Sequence, residues 1–257
     1  MARRPSPSPP AGVRAAGDDT QAAADAAHEH HRRIQGGTAR AAVFGISDGL
    51  VSNVSLILGV AGANPAPGVV RLAGLAGLVG GAFSMAAGEY VSMKAQSELL
   101  ERELEMERIE IHRRPEHERL ELAAIYRGRG VPAETADELA TEMMRDPDLA
   151  LETHAREELG IDPNQLGSPV GASLSSFLAF AFGALLPLLP WFVAKGTGAT
   201  VASVLLGAVA AVGIGIALSA FTGRSALRSA ARQLAIATAA AGVTFAVGKA
   251  VGSGGLT

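Results

Sequence analysis

Two acidic side chains interrupt stretches of this sequence that are otherwise apolar enough to cross a membrane. Asp48 lies in the run FGISDGLVSNVSLILGVAG, residues 44–62, and Glu89 lies in the run AFSMAAGEY, residues 82–90. A carboxylate at membrane depth is costly and usually marks an ion pathway. Neither run contains a basic residue. The sequence therefore predicts a passage for cations along these two segments.

Helical spacing places a second possible ion ligand one turn from each acid. Ser52 follows Asp48 by one turn in the first run, and Met85 precedes Glu89 by one turn in the second. A carboxylate combined with a thioether suits a borderline first-row divalent ion better than calcium or magnesium. We predict that the path of such an ion is lined by Asp48, Met85, Glu89 and Ser52.

The glycines Gly77 and Gly81 share the face of Met85, so they would let the second segment approach the first closely. Two plainer interpretations stay open. Met85 could be an ordinary packing residue, and Asp48 could be an acid that caps a helix or bonds water near the membrane surface.

A second concentration of acids separates the apolar segments. Residues 92–166 hold 19 of the 25 acidic residues and 10 basic ones, and no acid follows residue 162. This distribution predicts a soluble acidic module inserted into a membrane protein. The chain has a formal net charge of −3, which gives no argument for a nucleic-acid partner. It lacks cysteine, which excludes disulfides and thiolate metal sites.

Within the acidic module, four glutamates form two pairs at helical spacing. Glu107 and Glu110 share one helical face, and Glu118 and Glu121 share another. Pro115 breaks the helix between the pairs, so the two faces can fold against each other. Carboxylates gathered in this way repel one another unless cations neutralise them. The pattern predicts a metal site, with a solvated acidic surface as the alternative.

Residues near the end of the module could complete that site. Glu157, Glu158 and His154 could add oxygen and nitrogen ligands. Met143 and Met144 could add soft sulfur donors.

Hydropathy and helix-breaking residues predict an all-α protein. The stretches that could cross a bilayer, at about 20 residues each, are Ala41–Ala63, Val69–Val91, Ala172–Val193, Ala199–Phe221 and Ala230–Val251. Proline and glycine divide the acidic module into helices over Ser92–Arg114, Glu116–Arg127, Pro132–Arg145 and Asp148–Leu159. We predict a disordered tail over residues 1–36, spans one and two over 37–91, a metal-binding insert over 92–168, and spans three to five over 169–257.

The distribution of arginines predicts the orientation in the membrane. The three arginines just before span one are Arg32, Arg33 and Arg40, and those between spans four and five are Arg224, Arg228 and Arg232. The N-terminus and the insert are therefore expected in the cytoplasm, and the C-terminus outside. The last three arginines recur every four residues and are expected to contact anionic lipid headgroups. The run HEHH, residues 28–31, could collect metal at the cytoplasmic mouth, with a flexible polar tail as the alternative.

Several motifs of the chain together resemble the vacuolar iron transporter family. The matching segments are DGLVS at residues 48–52, SMAAGEYVS at 84–92, EELGI at 157–161, SP at 168–169 and FGALLPL at 182–188. The resemblance implies a homodimer of five-span subunits with the ion path between the first helices of the two subunits. It implies export of Fe²⁺, and often of Mn²⁺, from the cytoplasm in exchange for protons. Zn²⁺ is a further candidate ion, and the bacterial style of the sequence suggests a plasma membrane rather than a vacuole.

The resemblance also implies roles for particular residues. Those that match the path of the family are Asp48 and Met85. Those that match its cytoplasmic metal ligands are Glu107, Glu110, Glu118 and Glu121. A further ligand set lies near the end of the insert, where Glu158 is the best match. The methionines of that set fall on Met143 and Met144 or are replaced by His154.

Two other functions compete with a divalent-metal/proton antiporter, which is not an enzyme. A di-iron ferroxidase would use Glu-x-x-His pairs, but none of the six histidines has a glutamate three residues before it. A membrane metal sensor or store would need the acidic insert but no acid in span one. Oxygen consumption on addition of Fe²⁺ would support the ferroxidase, and a flux assay separates the antiporter from the sensor.

Overall fold

A computed structural model describes residues 37–160, 162 and 167–254, and within those ranges the chain forms nine α-helices and no strand. The helices are α1 (Gly37–Gly62), α2 (Pro67–Arg113), α3 (Pro115–Gly128), α4 (Ala133–Met143), α5 (Pro147–Glu157), α6 (Pro169–Leu188), α7 (Pro190–Val193), α8 (Gly196–Thr222) and α9 (Ala226–Ser253). The predicted tail lies outside the described residues, and so do its HEHH run, Arg32 and Arg33.

Five helices, α1, α2, α6, α8 and α9, are long and apolar enough to cross a membrane. Their outward surfaces carry large apolar side chains, of which Phe83, Leu174, Val209 and Val243 are 57–69% exposed. A water-soluble monomer rarely leaves so much apolar surface uncovered, whereas lipid tails match it. The prediction of an all-α chain with five spans is confirmed. The cytoplasmic placement of the insert and the division into domains stay predictions.

The central span is α1, which contacts each of the other four. Glycines allow these contacts to be made backbone to backbone. A β-carbon added at Gly49 would collide with the carbonyl of Phe180 on α6, and one added at Gly248 of α9 would collide with the carbonyl of Gly59. Two sides of α1 are therefore held without intervening side chains, which fixes the position of the residues between them.

Span two meets span one less closely than we predicted. Gly77 of α2 does pack against Asn53 and Leu56 of α1. Gly81, one turn later, packs against the aromatic ring of Phe180 on α6. The expectation for Gly81 was wrong because this bulky ring from span three occupies the space beside it.

Span three also differs from its predicted bounds. We predicted one helix over Ala172–Val193, but α6 ends at Leu188 and a separate helix of 4 residues follows. Pro190 interrupts the ladder because it has no N–H to donate. At the other end the helix starts earlier than predicted, since the Ser168 hydroxyl accepts a hydrogen bond of 3.1 Å from a first-turn N–H. This gives the SP motif a capping role.

The predicted insert consists of the second half of α2 and the helices α3, α4 and α5. As predicted, α2 continues past its apolar part without a break and reaches Arg113, and α3 starts at Pro115. Apolar contacts of Leu122, Ala123 and Ala140 join α3 to α4. The next helix, α5, contacts both α2 and α3. These contacts bring the acidic parts of three helices to one place.

Candidate metal centre

The acidic faces of α2, α3 and α5 meet in a cluster of carboxylates around one buried histidine. In the part of the chain that the structure describes, three overlapping groups of side chains have ligand atoms within 4.8 Å of one another. The groups are Glu107 with His154 and Glu158, Glu107 with Glu110 and Glu118, and His117 with Glu118 and Glu121. We call these seven residues the insert cluster. Shared members make its three groups continuous, so the structure brings together every glutamate that the sequence pattern paired here.

The centre of the insert cluster is withdrawn from water. The exposed fraction is 5% for Glu107, 3% for Glu118 and 0% for His154. Carboxylates are rarely buried unless a cation or hydrogen-bond donors compensate the loss of hydration. Burial of two such groups close together indicates that this place is built to hold positive charge.

The buried histidine supplies a second sign of a ligand site. Its Nδ1 atom lies 3.1 Å from Oε1 of Glu107 and 3.5 Å from Oε2 of Glu158. Both ring nitrogens of His154 and Oε1 of Glu107 are buried without a hydrogen-bond partner among the described residues. Buried polar atoms are nearly always paired. Nδ1 of His154 and Oε1 of Glu107 therefore face each other as two potential ligand atoms without a hydrogen-bond partner, which fits a bound ion.

The pKa values in the insert cluster reflect this crowding of negative charge. Burial raises the pKa of Glu118, the neighbouring carboxylates of Glu107 and Glu121 raise it further, and the hydrogen bond with His117 opposes them. Burial and the same two carboxylates raise the pKa of Glu158. Burial lowers the pKa of the His154 imidazole, but its carboxylate neighbours, Glu107 foremost, outweigh that effect and leave it raised. Glu118, Glu158 and His154 thus hold protons more firmly than the same side chains would in isolation.

Other residues proposed for the site are placed elsewhere. The prediction that Glu157 could close the cluster is wrong, because an ion pair with Arg129 holds its carboxylate. Met143 packs against the apolar core of α3 and α4, and its sulfur accepts a hydrogen bond of 3.8 Å from Thr153. Met144 is half-buried and caps the C-terminal end of α4. The contacts of Met143 are those of a packing residue.

One member of the insert cluster was missed by the sequence pattern. His117 immediately precedes the second glutamate pair, and its Nδ1 atom lies 3.4 Å from Oε1 of Glu118 and 3.8 Å from Oε2 of Glu121. Its side chain is 66% exposed. A histidine next to two acids at helical spacing was the available signal, and it would have extended the predicted ligand set to the outer edge of the cluster.

In the membrane part, Asp48 and Ser52 lie together on α1. The Ser52 hydroxyl donates a hydrogen bond of 2.8 Å to Oδ1 of Asp48. Asp48 is half-buried and Ser52 is exposed, and the residues one turn to either side, Phe44 and Leu56, are 64% and 39% exposed. These four residues, which we call the α1 row, lie on one partly exposed face of α1, and Leu56 at the end of the row also contacts Gly77 of α2. Met85 is half-buried and packs beside Phe180 of α6.

The other predicted path residue is not the unpaired acid that we expected. A guanidinium nitrogen of Arg40 lies 3.1 Å from Oε1 of Glu89. The apolar run around Glu89 contains no basic residue, but α1 begins at Gly37 and carries Arg40 to the same end of the bundle. The prediction of acids without a basic partner is therefore wrong for Glu89.

A buried amide beside the α1 row was also missed. The Asn53 side chain is 1% exposed and donates a hydrogen bond of 2.6 Å to the carbonyl oxygen of Ala184 on α6. Its Oδ1 atom is buried without a hydrogen-bond partner in the described part of the chain. An asparagine within an apolar run was the signal. The bond ties α1 to α6 one residue after Ser52 and so holds the α1 row in register.

The chain is similar to known proteins along most of its length. Residues 39–249 match the sequence profile of the VIT family. A Vacuolar iron transporter 1 from Eucalyptus grandis is 30% identical over 227 residues, which cover 88% of this chain and 91% of that protein. The corresponding protein of Arabidopsis thaliana is 30% identical over 227 residues, or 87% and 91% of the two chains. A Vacuolar iron transporter from Acanthamoeba castellanii is 41% identical over 163 residues, or 63% and 59%.

Proposed function

Because the chain belongs to the VIT family, we propose that it transports divalent metal across a membrane. The ion that we propose first is Fe²⁺, with Mn²⁺ as a second substrate and Zn²⁺ as a further candidate. One helix supports this proposal most directly. At one end α2 carries Glu107 and Glu110 of the insert cluster, and near its middle it carries Met85 and Glu89. A metal-collecting site and a membrane path are thereby parts of the same element.

The chemistry of each site fits a passing transition metal. In the insert cluster, carboxylates and imidazole combine hard and borderline ligands, a set that suits Fe²⁺, Mn²⁺ or Zn²⁺. In the path, the Asp48 carboxylate and the Met85 thioether offer fewer ligands, which favours brief residence over storage. We propose that ions gather on the cluster, pass Glu89 and rest at Asp48 and Met85. Protons from the opposite side then neutralise the Asp48 carboxylate and release the ion, which makes the transporter an antiporter.

A second copy of the chain completes the path in this proposal. The α1 row exposes a carboxylate and a hydroxyl at a depth where lipid would otherwise surround them. Polar groups in spans almost always face protein or a water-filled cavity. A homodimer that pairs the α1 rows of two subunits would cover them and place two Asp48 carboxylates on one passage.

The orientation that we propose places the insert in the cytoplasm and the C-terminus outside. The side chains of Arg224, which lies between α8 and α9, and of Arg228 and Arg232, which lie in the first two turns of α9, are exposed. Exposed arginines on the cytoplasmic side agree with the positive-inside rule and could contact anionic lipid headgroups. The relatives are named for the vacuole, and for this chain we propose a plasma membrane.

The direct test is flux through vesicles reconstituted with the purified full-length chain. Uptake of Fe²⁺ under anaerobic conditions, and of Mn²⁺, should accelerate when the vesicle interior is more acidic than the outside. Mg²⁺ should move far more slowly. A flux that is the same with and without the pH difference would contradict the proposed coupling to protons. Metal binding with no flux would favour the sensor or store, and oxygen consumption would favour the ferroxidase.

Metal binding to the insert cluster is expected to release protons. The pKa values of Glu118 and Glu158 lie above the usual 4.5, and the pKa of His154 lies above 6.5. Groups that keep their protons to higher pH must lose them before they can bind an ion. Calorimetry with Mn²⁺ in two buffers of different ionisation enthalpy should show that at least about one proton is released for each ion bound near neutral pH. The affinity should fall as the pH is lowered toward about 5.5, and a pH-independent affinity would contradict this.

A further inference from the structure

We propose that Arg40 selects divalent over monovalent cations at the mouth of the path, because it occupies Glu89 until a doubly charged ion displaces it. This inference rests on the proposed transport function. It concerns an ion pair, Arg40–Glu89, that connects the two path helices and lies apart from the insert cluster.

The two members of the pair differ in their freedom. The Glu89 side chain is 15% exposed and the Arg40 side chain is 67% exposed, although a guanidinium nitrogen of Arg40 approaches Oε1 of Glu89 to 3.1 Å. The carboxylate is therefore held within the protein, whereas the guanidinium can swing into solvent on its long side chain. An arriving cation would replace the guanidinium without any movement of the carboxylate.

The pair stands directly before the predicted resting place of the ion. Arg40 precedes Asp48 on α1 by two steps of four residues, which is about 12 Å along the helix. Glu89 is one turn from Met85 on α2. A cation that moves from the insert toward Asp48 and Met85 along these two helices would meet the Arg40–Glu89 pair first.

Other bonds hold this end of the bundle together. The Ser175 hydroxyl of α6 donates a hydrogen bond of 3.0 Å to the carbonyl oxygen of Thr38 on α1. The Ser173 hydroxyl donates one of 2.8 Å to the carbonyl oxygen of Ala86 on α2. Both path helices are thus tied to α6 beside the ion pair. The pair can open and close without separating α1 from α2.

Charge then decides which ion displaces Arg40. A monovalent cation brings no more charge than the guanidinium that it replaces, and it lacks the directed hydrogen bonds of that group. A divalent cation doubles the attraction to the carboxylate at the same distance. Since arginine keeps its charge at every physiological pH, the barrier to potassium and sodium persists while the proton gradient changes.

The test compares Arg40→Gln, Glu89→Gln and the double variant with the unmodified full-length chain in vesicles. Mn²⁺ uptake is measured at rising K⁺ concentration. Arg40→Gln should be inhibited by about tenfold less K⁺ than the unmodified chain, and Arg40→Lys should behave much like the unmodified chain. In the double variant, K⁺ sensitivity should match that of Glu89→Gln alone. Arg145→Gln removes an exposed arginine that pairs with Glu142 in the insert, and it should change nothing.

Two results would overturn the inference. One is unchanged K⁺ sensitivity in an active Arg40→Gln variant, and the other is an effect of Arg40→Gln that persists when Glu89 is already neutral. Should Arg40→Gln fail to fold, a charge-swapped variant with Arg40→Glu and Glu89→Arg provides the test. It keeps an ion pair between α1 and α2 but places the positive guanidinium at the less exposed position on α2. That variant should lose Mn²⁺ uptake, and normal uptake would contradict the role of Arg40. Absence of flux in the unmodified chain would instead refute the proposed function itself.

Discussion

Vesicles that carry the Asp48→Asn variant are expected to transport Fe²⁺ and Mn²⁺ about 100-fold more slowly than vesicles that carry the unmodified chain. A charge at the centre of a membrane costs about 3 kcal/mol when nothing compensates it, which corresponds to about a hundredfold change in occupancy. Asp48 is the acid of the α1 row. An asparagine at this position keeps an Oδ1 atom that can accept the hydrogen bond from the Ser52 hydroxyl. The measurement is initial uptake into vesicles with an acidic interior.

A matched control separates loss of charge from loss of structure. Ser219 is a polar residue of α8 whose hydroxyl bonds the carbonyl oxygen of Ile216 in its own helix at 2.7 Å. Ser219→Ala should therefore transport at a rate close to that of the unmodified chain. Both variants should elute as the same species and melt at similar temperatures in detergent. Undiminished flux through a folded Asp48→Asn variant would show that the ion does not rest on α1.

Glu107→Gln should weaken metal binding by the insert cluster by at least about 100-fold. Glu107 belongs to two of the three ligand groups, and its side chain is 5% exposed. Loss of one partner from a buried charged site costs about 3–5 kcal/mol, which corresponds to a hundredfold or more in affinity. Calorimetry with Mn²⁺ on the full-length protein measures the affinity directly.

The same substitution should have the opposite effect on the metal-free protein. Without an ion the carboxylates repel one another, so removal of one should raise the melting temperature in EDTA. The rise in melting temperature on addition of Mn²⁺ should become smaller, because the variant binds the ion more weakly. The control is Glu105→Gln, since Glu105 is exposed and pairs with Arg108 at 2.7 Å on the outer face of α2. Equal losses of metal affinity in the two variants would mean that ions bind the acidic surface as a whole.

Much of the fold follows from local sequence. Apolar length predicts the five spans, and Pro115 and Pro147 start helices where the sequence places breaks. The paired glutamates could be predicted because Glu107 and Glu110 on α2, and Glu118 on α3, need only a turn between two regular helices to meet. Such features depend on neighbours a few residues away, which periodicity records.

What the sequence did not predict depends on contacts between distant segments. Arg40 and Glu89 are separated by 49 positions, and no spacing rule joins them. Glu157 and Glu158 are adjacent in sequence, yet the packing of α5 brings the first to Arg129, whereas the second contacts His154 one turn earlier in its own helix. Tertiary packing decides which of two neighbouring carboxylates is neutralised by an arginine and which remains available as a ligand.

The unbroken course of α2 has a consequence for any attempt to recombine these proteins. It is a single helix of 47 residues, about 70 Å long, and it contributes to both the membrane path and the insert cluster. Each residue of a helix advances by about 100° around its axis. Deletion of one residue between Val91 and Glu107 would therefore rotate the cluster by that angle relative to Met85, whereas deletion of seven would nearly preserve the angular phase. Grafting an insert from a relative must conserve this phase as well as the ligands.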